Sequence, residues 1–421
     1  MAVKLPQKEV SYWMESTSNA TYPRLSKDIS TDVAVIGGGL AGLNIAYLLK
    51  QAGKKVVVLE KEIIGGGVTG HTTGKLTTQH NLIYSTLQQT LGEKKAQDYA
   101  DANQEAFATV KKIIAKEKIK CDLQEDDNYV FTEKNEEVEK LQQEAKVAKS
   151  LGLPATFTTA TTLPFKVKGA MKFSRQAKMH ARKYALGLAK AINGDGSFVF
   201  EKTTAIFVHD EEPAKVTTVM GDVTAKDIII AMPVPFPLVM HGFYCVYEYP
   251  LKTYIIAARV KAAMKGMYIT PGGPIYSILP ITSGKEKLLL FGGQGHLPGT
   301  GLHSLVYCNR LAEFAQEKFG ISTFAYRWSA WDYLSYDKIP LVGPAYPWSD
   351  HLYVASGCMK WGLTNTVAAG IILRDRLIGK KNPWASTFSS TRLSTVASIP
   401  RFIKESATST PKFIRNTFVG K

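Results

Sequence analysis

The chain has 421 residues, 45% of them hydrophobic and 21% charged, with a mean hydropathy of −0.08. That describes an ordinary soluble globular protein, too long for one compact core and long enough for two lobes. The N-terminus, MAVKLPQKEVSYWMES, has no apolar segment of the secretory kind, and no apolar run is long enough to cross a bilayer. The most apolar stretch, IIIAMPVPFPLVM from Ile228, carries three prolines and reads as a buried strand leaving into a loop. A cytoplasmic location is the expectation. The net charge of +16 would suit nucleic acid or an anionic membrane. No nucleic-acid module is visible, so the basic surface is assigned to binding a diphosphate cofactor and anionic ligands. Cys121, Cys245, Cys308 and Cys358 lie far apart without C-x-x-C or paired Cys/His spacing, so no metal site or redox disulfide is expected.

Val33 to Ile36 form a short apolar run ending in three glycines. Leu40, Leu43, Ala46, Tyr47 and Leu49 then share one face of a helix that runs to Gln51, and Gly53 ends it. Val56 to Leu59 give a second strand. This βαβ start implies a doubly wound parallel sheet. Glu93 to Lys118 and Glu133 to Leu151 read as amphipathic helices, with the strand CDLQEDDNYVFT between them. Lys183 to Ile192 is another helix. Strands follow at 197–208 and 216–231 around the acidic turn HDEEPAK. From Tyr244 to Gly293 the pattern is β-rich and predicts an antiparallel sheet in a second lobe. A helix at Ser304 to Phe319, a strand at Leu352 to Ala355 and a helix at Thr364 to Ile378 complete the reading. Residues 386–421 are rich in Ser, Thr and Pro, with six basic residues and one acidic, and read as a tail or linker.

The segment DVAVIGGGLAGLNIAYLLKQAGKKVVVLEKE places G-x-G-x-x-G at Gly37, Gly39 and Gly42. The first glycine makes the tight turn, the second lets a pyrophosphate approach the backbone, and the third lets helix pack on strand. The phosphates belong at the helix N-terminus, beside Leu40 and Ala41. Glu60, at the end of the second strand, can accept from ribose hydroxyls, with Lys61 next to it. A second glycine-rich loop follows, KEIIGGGVTGHTTGKLTTQH. Its Gly67, Thr69, Thr72 and Thr73 are placed to reach phosphate and ribityl oxygens, which favours FAD over NAD.

At these residues the chain resembles the D-amino-acid oxidase/glycine oxidase (DAO) superfamily of FAD-dependent oxidoreductases, over most of its length up to about Trp384. HTTGKLTTQH, FSRQAKMHARKYALGLAKAI, YRWSAWDYLSYDKIPLVG and HLYVASGCMKWGLTNTVAAGIILRDRLIG resemble a bacterial branch that often carries a C-terminal Rieske domain. The resemblance implies an α/β fold. A Rossmann-like FAD-binding domain (1–90, 160–235 and 330–384) joins an α+β substrate domain with a mostly antiparallel sheet (91–159 and 236–329), and 385–421 form a basic tail or linker. It also implies that the helix after Gly357, Lys360, Trp361, Gly362, Leu363 and Thr364 points its N-terminus at the flavin. By the same resemblance His71 could carry the flavin covalently. Two departures stand out. The C-x-H and C-x-x-H pairs of a Rieske site are not in these 421 residues. Thr364 stands where sarcosine-oxidase-like relatives have a lysine, which puts an N-methyl amino acid substrate in doubt.

The implied reaction moves hydride from a C–H beside an amine nitrogen to flavin N5, which calls for no catalytic dyad. Lys360, Arg259, Tyr254, Tyr268 and Tyr276 are candidates for gripping an amine or amino-acid substrate, and each is also a candidate surface cation or core aromatic. His180 and the tryptophans Trp328 and Trp331 read as structural. Three classes stay open: an amine or amino-acid oxidoreductase, an electron-transfer flavoprotein serving a separate iron–sulfur partner, and a non-catalytic FAD-binding protein. The tail segments SIPRFIKES and TPKFIRNTF suggest peripheral membrane contact.

Overall fold

The computed structural model describes residues 3–232 and 247–392. A short helix, α1 (Tyr12–Glu15), precedes β1 (Ile29–Ile36), α2 (Leu40–Gln51) and β2 (Val56–Leu59). Then come β3 (Lys75–Leu76), α3 (Ile83–Leu91), α4 (Glu93–Lys116), β4 (Gln124–Thr132), α5 (Val138–Ser150), β5 (Ala155–Thr158) and β6 (Gly169–Lys178). Helix α6 (Ala181–Ile192) leads to β7 (Phe198–Phe200), β8 (Ala205–His209), β9 (Ala214–Thr218) and β10 (Asp222–Ile230). The remaining elements are β11 (Glu248–Arg259), β12 (Met267–Ile269), β13 (Tyr276–Ser283), β14 (Glu286–His296), α7 (Ser304–Phe319), β15 (Tyr326–Ser335), β16 (Leu341–Pro344), β17 (Leu352–Ser356), α8 (Gly362–Leu377) and α9 (Ala385–Phe388).

The first sheet runs β16-β17-β10-β1-β2-β7, with the β8–β9 ribbon added to β10. Strands β17, β10, β1, β2 and β7 are parallel, with Val35 opposite Ile229 on one side and Val58 on the other. Both faces of these strands are covered, so they are apolar throughout rather than alternating, as VVVL in β2 shows. The second sheet runs β15-β11-β14-β13-β12-β4-β6-β3, with β5 beside β6. It is antiparallel except for β12 against β4. This is the α/β architecture expected, a doubly wound sheet joined to a mostly antiparallel one.

Some expectations need correcting. Strands β3, β6 and most of β15 lie in segments expected in the nucleotide lobe, yet they pair in the second sheet. Local sequence shows that a strand exists, but hydrogen-bonding partners distant in the chain select its sheet. The expected tail begins too early. Phe388 is fully buried with its ring stacked 5.8 Å from Tyr99, and Arg392 forks onto the Asp337 carboxylate. Residues 385–392 are therefore part of the packed body. The tail segments read as membrane-active and most of the proline-rich run after Ile230 lie outside the described residues. Among the described residues, no helix is long and apolar enough to cross a membrane.

Helices α2 and α8 pack closely because Gly370 leaves room: a Cβ there would sit 2.8 Å from Leu48 Cδ1. Asn44 on α2 locks the pair, donating to Thr366 Oγ1 at 3.0 Å and accepting from the Tyr184 hydroxyl of α6 at 2.8 Å. All three side chains are buried, so the bonds form in low dielectric and fix one arrangement. The lock brings the N-termini of α2 and α8 to one cavity.

Candidate functional site: a dinucleotide cavity with an ion pair at one end

The turn between β1 and α2 is built by close approach. Gly37 has φ +115°, open to glycine without strain, and a Cβ there would lie 2.7 Å from the Ala231 carbonyl oxygen. A Cβ on Gly42 would lie 1.9 Å from the Gly37 carbonyl oxygen. Helix α2 thus presses directly onto the turn. The second glycine-rich loop is tied back to it: Gly65 N–H donates to Gly38 O at 2.9 Å, and Leu40 N–H donates to Thr69 Oγ1 at 3.0 Å. Glu201, buried on the loop after β7, accepts from the Ile64 amide at 2.7 Å and so fixes the loop's start.

Glu60 accepts from the Gly38 amide through Oε2 and from the Glu62 amide through Oε1, both at 2.8 Å. Burial pushes its carboxyl above the ordinary range, and the two amides oppose the shift. A carboxylate so held is rigid.

These residues wall a cavity of about 540 Å³, within the range of cofactor sites. One end is formed by Glu60, Lys61 and the Thr203–Ala205 segment, the middle by Gly37, Gly39, Leu40, Ala41, Gly67, Thr69 and Thr72. The far end is formed by Trp331, Asp332, Tyr333, Ser356, Gly357, Cys358, Lys360, Gly362 and Leu363. Neither α2 nor α8 has a side chain from its own N-cap residue bonded to its first turn. Two helix N-termini therefore offer amides to one elongated ligand. The turn into α8 is strained: Met359 and Lys360 both sit at positive φ, +53° and +68°, after Gly357 at +66°. Lys360 Nζ pairs with Asp332 Oδ2 at 3.1 Å inside the far end.

A model for FAD-dependent oxidoreductases, DAO, matches residues 32–376. The chain belongs to the DAO family. It is 32% identical over 384 residues to YhfW of Bacillus subtilis (strain 168), whose name describes a Rieske 2Fe-2S iron-sulfur protein; the match spans 91% of this chain and 75% of that one. It is 25% identical to gamma-glutamylputrescine oxidoreductase of Escherichia coli (strain K12), over 88% of this chain and 89% of that one. In fold it is similar to glycine oxidase from Geobacillus kaustophilus (TM-score 0.72, 19% identity, 86% of this chain and 99% of that one). L-Proline dehydrogenase from P. horikoshii gives a TM-score of 0.73 at 16% identity, over 88% of this chain and 98% of that one.

As a DAO-family protein the chain uses FAD, and the cavity fits it. At Gly37 and Gly38 the turn leaves no room for a Cβ, and Glu60, bonded to the Gly38 amide, lines the cavity beside it. The diphosphate would lie against α2 and the ring system at the α8 end.

Several sequence candidates do not line the cavity. Gly42 acts from beneath the turn. Thr73 packs near Gly292. His71 holds its ring to Gly67 O through Nδ1 at 2.8 Å, while its carbonyl accepts from Trp328 Nε1 at 2.9 Å. Trp361 stacks on His80 at 4.8 Å, and Thr364 Oγ1 lies 3.1 Å from His80 Nε2. The structure also leaves most substrate candidates elsewhere. Arg259 is on the surface with Glu286 at 3.3 Å. Tyr254 is buried against Tyr307 and His296, Tyr276 stacks on Phe314 at 4.0 Å, and Tyr268 stacks on Tyr129. These are core aromatics of the second sheet. Lys360 alone among these candidates reaches the cavity. Trp331, expected in the core, is 40% exposed and lines it. Asp332 and Tyr333 were missed; the polar residue between two aromatics in WDY was the available signal.

Proposed function

We propose that this flavoprotein oxidises a C–N bond of an amine or amino acid, with the substrate received at the Trp331–Tyr333 and Gly357–Leu363 end of the cavity. The observation that carries the reading is the Lys360–Asp332 pair standing beside the N-terminus of α8 within the cavity. Bound FAD supplies the two-electron acceptor. The chain's own residues bind and orient. Amides of Gly362 and Leu363 at the α8 N-terminus favour negative charge on the nearby ring edge. Trp331 and Tyr333 wall the site and exclude water. Lys360 and Asp332 set the charge that a substrate meets. The names of the similar proteins, a gamma-glutamylputrescine oxidoreductase, a glycine oxidase and a proline dehydrogenase, support nitrogen-bearing substrates.

The test is anaerobic mixing of the flavin-loaded protein with a panel of amines and amino acids. Bleaching of the visible flavin bands by a member of the panel supports the reading; bleaching by dithionite alone sinks it. The likeness to YhfW supports a second reading, a flavoprotein that hands electrons to an iron–sulfur protein. Slow reoxidation in air after substrate reduction, made fast by an added iron–sulfur protein, favours that reading.

A further inference from the structure

At the far end of the cavity the charges are nearly balanced. Among the described residues that line it, Lys360 and Asp332 are the charged groups of that end, and no arginine lines it. Lys360 is already neutralised by Asp332 at 3.1 Å. A substrate carboxylate would therefore find a cation that is taken, with an anion beside it.

Asp332 is arranged differently. Its Oδ2 receives both Lys360 Nζ at 3.1 Å and Thr253 Oγ1 at 3.2 Å. Its Oδ1 has no hydrogen-bond partner among the described residues. A carboxylate has about four acceptor sites, so capacity for a donor remains. The neighbouring Trp331 presents an exposed indole, and Lys252 Nζ already lies 5.6 Å from its ring centroid. Carboxylate and indole are both groups that attract ammonium ions. In this structure the protein's own lysines occupy part of that capacity.

The chemistry of amine oxidation decides which ammonium Asp332 can serve. The hydrogen leaves the carbon as hydride to FAD while the nitrogen lone pair forms the C=N bond. The reacting nitrogen must therefore arrive without its extra proton. A carboxylate in contact favours the protonated form and would hold that lone pair out of use. The nitrogen at Asp332 is thus not the reacting one.

We infer that Asp332 is the specificity residue for a second, non-reacting ammonium group, and that the substrate class is diamine-like: a reacting amine at one end and a cation at the other. This rests on the amine-oxidation reading for the reaction and on Asp332 alone for recognition.

The experiment uses the flavin-loaded full chain and separates the two. Diamines of three to six carbons, matched monoamines, glycine and N-methylglycine are titrated while flavin absorbance and tryptophan fluorescence report binding; bleaching under anaerobic conditions reports reaction. The expected result is tighter binding of one diamine length than of its monoamine, by about tenfold or more. Asp332→Asn removes that preference, raising KM for the diamine until it binds no more tightly than its matched monoamine. Equal binding of diamine and monoamine overturns the inference, as does a preference that survives in Asp332→Asn. Selective diamine binding without bleaching upholds the recognition and sinks the reaction. Bleaching by glycine or N-methylglycine with no diamine binding does the reverse.

Discussion

Ser356 donates its hydroxyl to Glu248 Oε2 at 2.7 Å, while Oε1 of the same carboxylate is buried with no hydrogen-bond partner among the described residues. The Gly357 amide also reaches this group, so Glu248 braces the turn that leads into α8. Burial pushes its carboxyl up to about 8, against the hydrogen bonds from Ser356 and Gly357, and no cation among the described residues offsets it. The folded state keeps a proton here that the unfolded chain releases near pH 4.3. Stability from this group is full below that value and falls as pH rises to about 8, by an amount on the order of a few kcal/mol. Glu248→Gln keeps an acceptor for Ser356 and should flatten that fall. Thermal unfolding of both proteins from pH 5 to 9 checks it; parallel curves would show that Glu248 is not the group.

Lys75 works in the opposite direction. Its buried ammonium donates to the Tyr268 carbonyl at 2.7 Å and has no carboxylate partner among the described residues. Burial pushes it down to about 7. Its penalty is full below pH 7 and fades as pH climbs towards the unfolded value of about 10.4. Lys75→Met should raise the melting temperature by several degrees at pH 6 and by less at pH 10. An equal gain at both pH values would count against a buried charge as the cause.

His80 donates Nε2–H to the Thr77 carbonyl at 2.9 Å, which leaves Nδ1 to accept from the Tyr99 hydroxyl at 2.7 Å. Its ring lies nearly parallel to Trp361, the N-cap residue of α8. The imidazole thereby sets where the α8 N-terminus points. His80→Ala should weaken FAD retention by about tenfold with the secondary structure intact, read by ultrafiltration and circular dichroism. Burial holds His80 at about 3, so stability present above the ordinary histidine range is lost as pH falls towards 3. His180, also at about 3, contributes in the same window. His80→Asn should therefore remove part of the acid-side slope, not all of it.

Gly42→Ala puts a methyl 1.9 Å from the Gly37 carbonyl oxygen. Helix and turn must separate, at a cost of about 1–3 kcal/mol. The purified variant should be less stable and colourless. Normal FAD content would mean that the turn yields without losing its shape.

The nucleotide half of the site was legible because its constraints are local. Gly37, Gly39, Gly42 and Glu60 lie within one strand–turn–helix–strand unit, and the tightest of its contacts, Gly42 against the Gly37 carbonyl, is made five residues apart. Helix α7 was legible to its end residues, since its apolar spacing and Gly320 mark it. The substrate half was much less so. Arg259 and Asp332 are both charged residues on β-strands of one sheet, and only the pairing of β11 with β15 tells which end of each strand meets the cavity. Tyr254 and Tyr276 have the composition of binding residues, but stacking partners far along the chain bury the first and hold the second, half-buried, against the core of the second sheet.

The sequence by itself determined the nucleotide-binding turn and the doubly wound start, because a turn that admits no Cβ and an acid at fixed spacing restrict the backbone directly, while the family was legible only through the resemblance of longer segments. Tertiary structure alone decided that Lys360 meets Asp332, that Trp331 leaves the core for the cavity wall, and that β3 and β6 serve the second sheet. Those outcomes depend on which distant strands share hydrogen bonds and on which side of a sheet each side chain falls, and local residue patterns do not encode either.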